Sequence, residues 1–100
     1  NWRKMLSTER HDEFNLVAEK QKALKFLHPD FQKFASDDDS ITEIHYPVQE
    51  YPSKIKSISF DKQPEICDVL TGIKGQYLMF RSGDVINIRK HGGYLVELTF

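Results

Sequence analysis

The last quarter of the chain constrains the fold most. Residues 76–81, 85–90 and 94–100 are short runs of apolar, β-branched and aromatic residues. Ser82-Gly83-Asp84 separates the first two runs and Gly92-Gly93 the last two. Short strand-forming runs bounded by tight-turn residues signal adjacent antiparallel strands, because those residues accept the backbone angles that reverse the chain. A three-strand meander follows. Upstream, residues 56–60 alternate, with Ile58 and Phe60 on one side and Ser57 and Ser59 on the other. Residues 66–73 make a further strand, where Gly72 and Gly75 mark a bend or a close backbone approach. Five short strands with interior glycines suit a small barrel of the SH3-like or OB-like kind, since glycine permits the corners. An open antiparallel sheet covered by helices fits almost as well.

The N-terminal third has a different period. Between residues 12 and 27, Phe14, Val17, Leu24 and Leu27 fall on one helical stripe, with Leu16 and Ala23 at its margin. Asp12 is the expected N-cap, and Pro29 ends this helix and starts a second, residues 29–35, that turns Phe31 and Phe34 toward the core. Trp2, Met5 and Leu6 read as the end of an earlier helix. Asp37-Asp38-Asp39 is a solvated loop, and Pro47 and Pro52 bracket an extended connector in which a central strand is not expected. The expected fold class is α+β: N-terminal helices packed on a small antiparallel, barrel-like sheet. One domain is expected over residues 1–100, with a helical part at 1–36, a loop and connector at 37–53, and the β part at 54–100.

Composition narrows the functional classes. One hundred residues suffice for one core. Twelve aromatic residues in a chain that is 39% hydrophobic argue against disorder. Fourteen Lys and Arg against fifteen Asp and Glu give a net charge of −1, not the basic balance of a dedicated nucleic-acid binder. The charge is uneven, however: residues 1–50 carry a net −3 and residues 51–100 a net +2. No apolar run reaches the roughly 18–20 residues that span a bilayer, so no membrane partner is expected. Cys67 is the single cysteine, which excludes an internal disulfide. The opening Asn1-Trp2-Arg3 lacks a Met and a signal peptide, so the chain reads as a piece of a longer protein. Cytoplasmic location is the default expectation.

Few residues suggest chemistry. His11, His28, His45 and His91 show no metal-ligand spacing, and Asp37-Asp38-Asp39 lacks the remaining positions of a calcium loop. Gly72-Ile73-Lys74-Gly75 lacks the spacing and the following Ser or Thr of a phosphate loop. Cys67 has no recognised activating motif and reads as a core thiol. No cofactor is expected, and enzymatic activity is not. The informative region is residues 74–94, where Lys74, Arg81, Arg89 and Lys90 face the single acid Asp84. Strand alternation sends Ile86 and Ile88, with Leu78 and Phe80, to the core. Tyr77, Arg81, Asn87, Arg89 and His91 then share the outer face, beside Lys74. Cations interleaved with aromatics are the composition that holds a phosphate backbone and stacks bases. The plainer alternative is that Asn87 and Arg89 make local hydrogen bonds or pair with Asp84 and Glu97.

Asn1-Trp2-Arg3-Lys4-Met5-Leu6, Tyr46-Pro47-Val48, Tyr51-Pro52 and the string GIKGQYLMF…VINIRKHGGYLVEL resemble the C-terminal part of an uncharacterised bacterial family, domain of unknown function 2797. KGQYL and NIRKH are the specific blocks, and the anchors run from Trp2 to Leu98. The resemblance implies, in longer members, an upstream cysteine-rich segment expected to bind zinc and a middle region similar to GIY-YIG nuclease modules. Neither lies in this chain, and the family supplies no catalytic residue to transfer. The resulting expectation is a non-enzymatic accessory or binding module that contacts nucleic acid through Lys74, Tyr77, Arg81, Asn87, Arg89 and His91. The alternative is a structural interaction domain that docks on an upstream domain of the same protein, or on a second copy, through Trp2, Met5 and Leu6 and the acidic helical half.

Overall fold

In a computed structural model, residues 1–8 and 14–100 are described. The chain divides into two compact units, Asn1–Arg10 with His45–Phe100, and His11–Ile44. The first unit therefore leaves its sheet after one short helix and returns some thirty-five residues later.

That helix, α1 (Trp2–Leu6), begins where the Asn1 side chain accepts a hydrogen bond from the Arg3 amide. The sheet of the same unit has four strands: β1 (Lys56–Ile58), β2 (Leu70–Lys74), β3 (Tyr77–Phe80) and β4 (Asp84–Asn87), in spatial order β1-β4-β3-β2. The β2–β3 and β3–β4 pairs are antiparallel hairpins, the second of them as the Ser82-Gly83-Asp84 turn predicts. Pairing of β1 with β4 is parallel, so the sheet is mixed and open. The class α+β holds. The SH3-like or OB-like closure is not seen, because two of the five expected strands change character. After Asn87 the chain winds into a 3-10 turn, Ile88–His91, capped by the Asn87 side chain. Residues 94–100 then form no strand.

Two glycines explain the tight spots. A Cβ on Gly72 would lie 2.6 Å from the Met79 side chain and 2.9 Å from Val48, which is the close approach expected there. Gly83 holds φ +90 in the β3–β4 turn, and a Cβ there would collide with the Lys54 carbonyl. Against the outer edge of β2 lies the proline-bracketed connector: Val48 bridges Gly72, Gln49 donates to the Thr71 carbonyl and Ile73 to the Pro47 carbonyl. That cover protects one sheet edge.

Register decides which side chains are buried. Met79 faces Val85 and Leu78 faces Ile86, so the two pairs point to opposite sides of the sheet. On the first side Leu6, Met79 and Val85 form the core cluster, with Trp2, Val48, Ile55 and Tyr77 packed against it. On the second, Ile58 and Ile86 are buried. The expectation that Tyr77 looks outward is thus corrected, since its side is the one α1 covers. Ile88, expected in the core, is exposed because the 3-10 turn breaks the alternation.

The second unit is helical. Helix α2 (Leu16–Phe26) starts at Asn15, whose side chain accepts from the Ala18 amide, and α3 (Pro29–Gln32) follows with Pro29 in its first turn. The expected cap Asp12 lies outside the described residues, as does His11. Neither helix has a buried residue: Phe31 and Phe34, expected in a core, are exposed.

Candidate functional site

The six residues singled out by the strand pattern do not share one surface. Lys74 is 8% exposed. Its ammonium donates to the carbonyls of Met5 (3.0 Å) and Thr8 (3.4 Å) and lies over the rings of Tyr46 and Tyr51, 5.4 and 5.2 Å from their centroids. The carbonyls at a helix C-terminus have no partner within the helix, and a cation there offsets the negative end of its dipole. Lys74 therefore anchors α1. Tyr77 belongs to the same junction, stacked on Trp2 with centroids 5.3 Å apart and planes 4° from parallel. Arg3 sits over the Trp2 ring at 4.5 Å.

Arg81 and Arg89 are exposed, Arg81 after β3 and Arg89 on the 3-10 turn. Near Arg81, the Asp68 carboxyl is held below its ordinary range chiefly by a hydrogen bond to the Ser82 side chain, then by the Val69 amide. Asn87 and His91 do come together, beside residues the strand pattern did not single out. An open cleft of about 670 Å³ lies where the parallel strands β1 and β4 end. Lys56, Ser57, Ile58 and Ser59 line it from β1 and the residue beyond. Asp61, Lys62 and Gln63 come from the following turn, closed by the Lys62 and Gln63 amides on the Ser59 carbonyl. Asn87, Lys90 and His91 complete the wall.

His91 is the structural hinge of this wall. It is 7% exposed, its Nε2 accepts the Phe60 amide at 3.2 Å, and its Nδ1 lies 2.9 Å from the Asn87 carbonyl. An Nε2 that accepts carries no proton, so the ring is the Nδ1–H tautomer and donates to Asn87. Its ring meets Phe60 and Tyr94 edge-to-face, at centroid distances of 4.9 and 5.1 Å. The Tyr94 hydroxyl donates to the Asp61 carboxylate, which raises the phenol above its ordinary pKa. The lining thus holds three lysines, Lys56, Lys62 and Lys90, and a single carboxylate, Asp61, which accepts from Tyr94. Among the described residues no three His, Cys, Asp or Glu gather into a metal-binding group, and Cys67 is an exposed free thiol, not the core thiol expected. No helix among them is long and apolar enough to cross a membrane.

The sequence missed Lys56 and Lys62 because nothing local reveals which strand β1 will join. Alternation across residues 56–60 marked a strand, but the parallel partner that brings Lys90 beside it is twenty-eight residues away by register, Lys56 opposite Asp84.

Fold and site together define a small α+β domain with a mixed four-stranded sheet and a lysine-lined cleft at one end of its parallel pair. The chain belongs to the family described as "Protein of unknown function (DUF2797)", which matches residues 1–96. No curated protein and no solved structure shows significant similarity to it.

Proposed function

We propose that the chain is a non-enzymatic binding module that holds a nucleic-acid backbone in the cleft between β1 and the 3-10 turn. The observation that carries this reading is that Lys56, Lys62 and Lys90 line one cleft with a single, hydrogen-bonded carboxylate, in a chain whose overall charge is −1. Arg89 neighbours Lys90 on the same exposed turn. Local positive charge suffices for phosphate contact, because each neutralised phosphate releases counterions regardless of distant acids. Lys74 and Tyr77, placed on this surface by strand alternation, are occupied at the α1 junction and are left out of it.

The test is a fluorescence-anisotropy titration with labelled DNA and RNA at low and moderate salt. Affinity should fall by a slope of about 0.7–0.9 in log K per log salt for each phosphate contacted. The double change Lys56→Ala, Lys90→Ala should weaken binding and flatten that slope; binding that ignores both salt and these changes refutes the reading.

A second reading, a domain for association with another copy or with an upstream part of the same protein, has a different support. Of the surface first expected to serve, Leu6 is buried and Trp2 is stacked on Tyr77, while Met5 stays exposed. In the His11–Ile44 unit, by contrast, Phe26, Phe31 and Phe34 are 91%, 57% and 74% exposed. Sedimentation velocity across a concentration series decides for self-association: a shift to dimer that Phe26→Ser abolishes supports it, and a monomer throughout opposes it.

A further inference from the structure

Resting on the nucleic-acid reading above, we infer that the cleft takes single-stranded nucleic acid in preference to duplex, with one phosphate among Lys56, Lys62 and Lys90 and the adjoining base stacked on Tyr94. Three observations carry this. First, the cleft is a recess of about 670 Å³, within the roughly 300–1,000 Å³ that encloses a small ligand. A recess of this size admits one nucleotide unit, whereas a duplex keeps its bases stacked inside and presents only phosphates to such a hollow.

Second, Tyr94 touches two residues of the cleft wall and still keeps open ring surface. Its hydroxyl is tied to Asp61, its ring meets His91 at 89° and lies 6.5 Å from Phe60, and it remains 47% exposed. His91 is itself fixed at both nitrogens, by the Phe60 amide and the Asn87 carbonyl. The platform is therefore held in place before a base arrives, which lowers the ordering cost of binding. Third, the cleft lining also carries Ser59, Gln63 and Asn87, neutral groups able to hydrogen-bond a sugar or base edge. A cationic groove beside an aromatic ring is the combination that binds single strands with little sequence preference.

The experiment compares a labelled single-stranded oligothymidine with a duplex of equal length, by anisotropy at one low salt concentration. The single strand should bind at least about ten-fold more tightly, and Tyr94→Ala should remove about ten-fold of that affinity while leaving duplex binding unchanged. Tyr94→Phe keeps the ring and should retain the preference; Tyr94→Leu keeps bulk without the π-face and should lose it. Trp2 fluorescence in the α1 junction checks that each variant is folded. Equal binding of single strand and duplex overturns the inference and leaves the nucleic-acid reading standing. So does single-strand binding that Lys56→Ala weakens and Tyr94→Ala does not. Absence of binding to either form at low salt overturns the underlying reading, and the inference with it.

Discussion

Two lysines do the same job in the two units with different surroundings. In the sheet unit, Lys74 is buried and ties off the carbonyls of Met5 and Thr8 beneath two tyrosine rings. In the His11–Ile44 unit, Lys20 bonds the carbonyls of Ser36 and Asp38 and the carboxylate of Asp39, with its side chain 29% exposed. The first lysine secures a helix to a hydrophobic core. The second gathers a polar loop where α2 and α3 bury no side chain. Desolvation makes the difference: a hydrogen bond sheltered from water has no solvent substitute, whereas an exposed one is replaced by water when it breaks.

The largest effect should come from the core itself. Met79→Ala removes a side chain that is 0% exposed and should cost about 2–5 kcal/mol. Leu24→Ala, at a half-buried position of α2, should cost clearly less. In urea denaturation Trp2 fluorescence reports the sheet unit, because Trp2 is the single tryptophan and stacks on Tyr77, and far-ultraviolet circular dichroism follows the loss of α2. Equal losses would break the contrast between the units.

Next comes the lysine pair. Lys74→Met keeps the aliphatic stem but removes the ammonium from the Met5 and Thr8 carbonyls, at a cost of about 1.5–3 kcal/mol. Lys20→Met should cost no more than about 1 kcal/mol, as exposed ion pairs do. A changed Trp2 emission in folded Lys74→Met would sharpen the point, since it shows α1 loosening on an otherwise intact sheet.

The smallest effect is electrostatic. Tyr94 titrates above its ordinary value because it donates to Asp61. Its hydrogen bond therefore contributes stability that is complete below about pH 10 and lost as pH climbs through the raised folded value. Ultraviolet titration should show one tyrosine ionising late, and Asp61→Asn should bring it back toward the others. A folded wild-type protein whose tyrosines all ionise together would remove Tyr94 from its anchor.

The helical stripe shows why some of this was legible and some not. Val17 and Leu24 at helical spacing fall in α2 and Pro29 follows its end, but the helix starts at Leu16, so Phe14 lies outside it and Leu27 is its C-cap. Yet α2 has no buried residue, because periodicity states which face is apolar and not what will cover it. In the sheet unit the same limit worked the other way. Alternation placed Ile86 in the core correctly but sent Tyr77 outward, since both faces of this sheet bury apolar side chains. Of the predicted site, Asn87 and His91 reached the cleft. Their place there depends on the 3-10 turn that ended the expected strand.

Local sequence determined what depends on a few neighbouring residues: the hairpin turn at Gly83, the helix over Leu16–Phe26, and the α+β class. Backbone strain and side-chain bulk act over that range, so their effects are written residue by residue. Tertiary structure alone decided that β1 runs parallel to β4, that Lys74 points at the end of α1, and that Lys56, Lys62 and Lys90 share one cleft. Those outcomes depend on which distant strand completes a ladder and which carbonyls a cation meets. Such partners are set by the summed burial of the whole unit, and no local pattern encodes them.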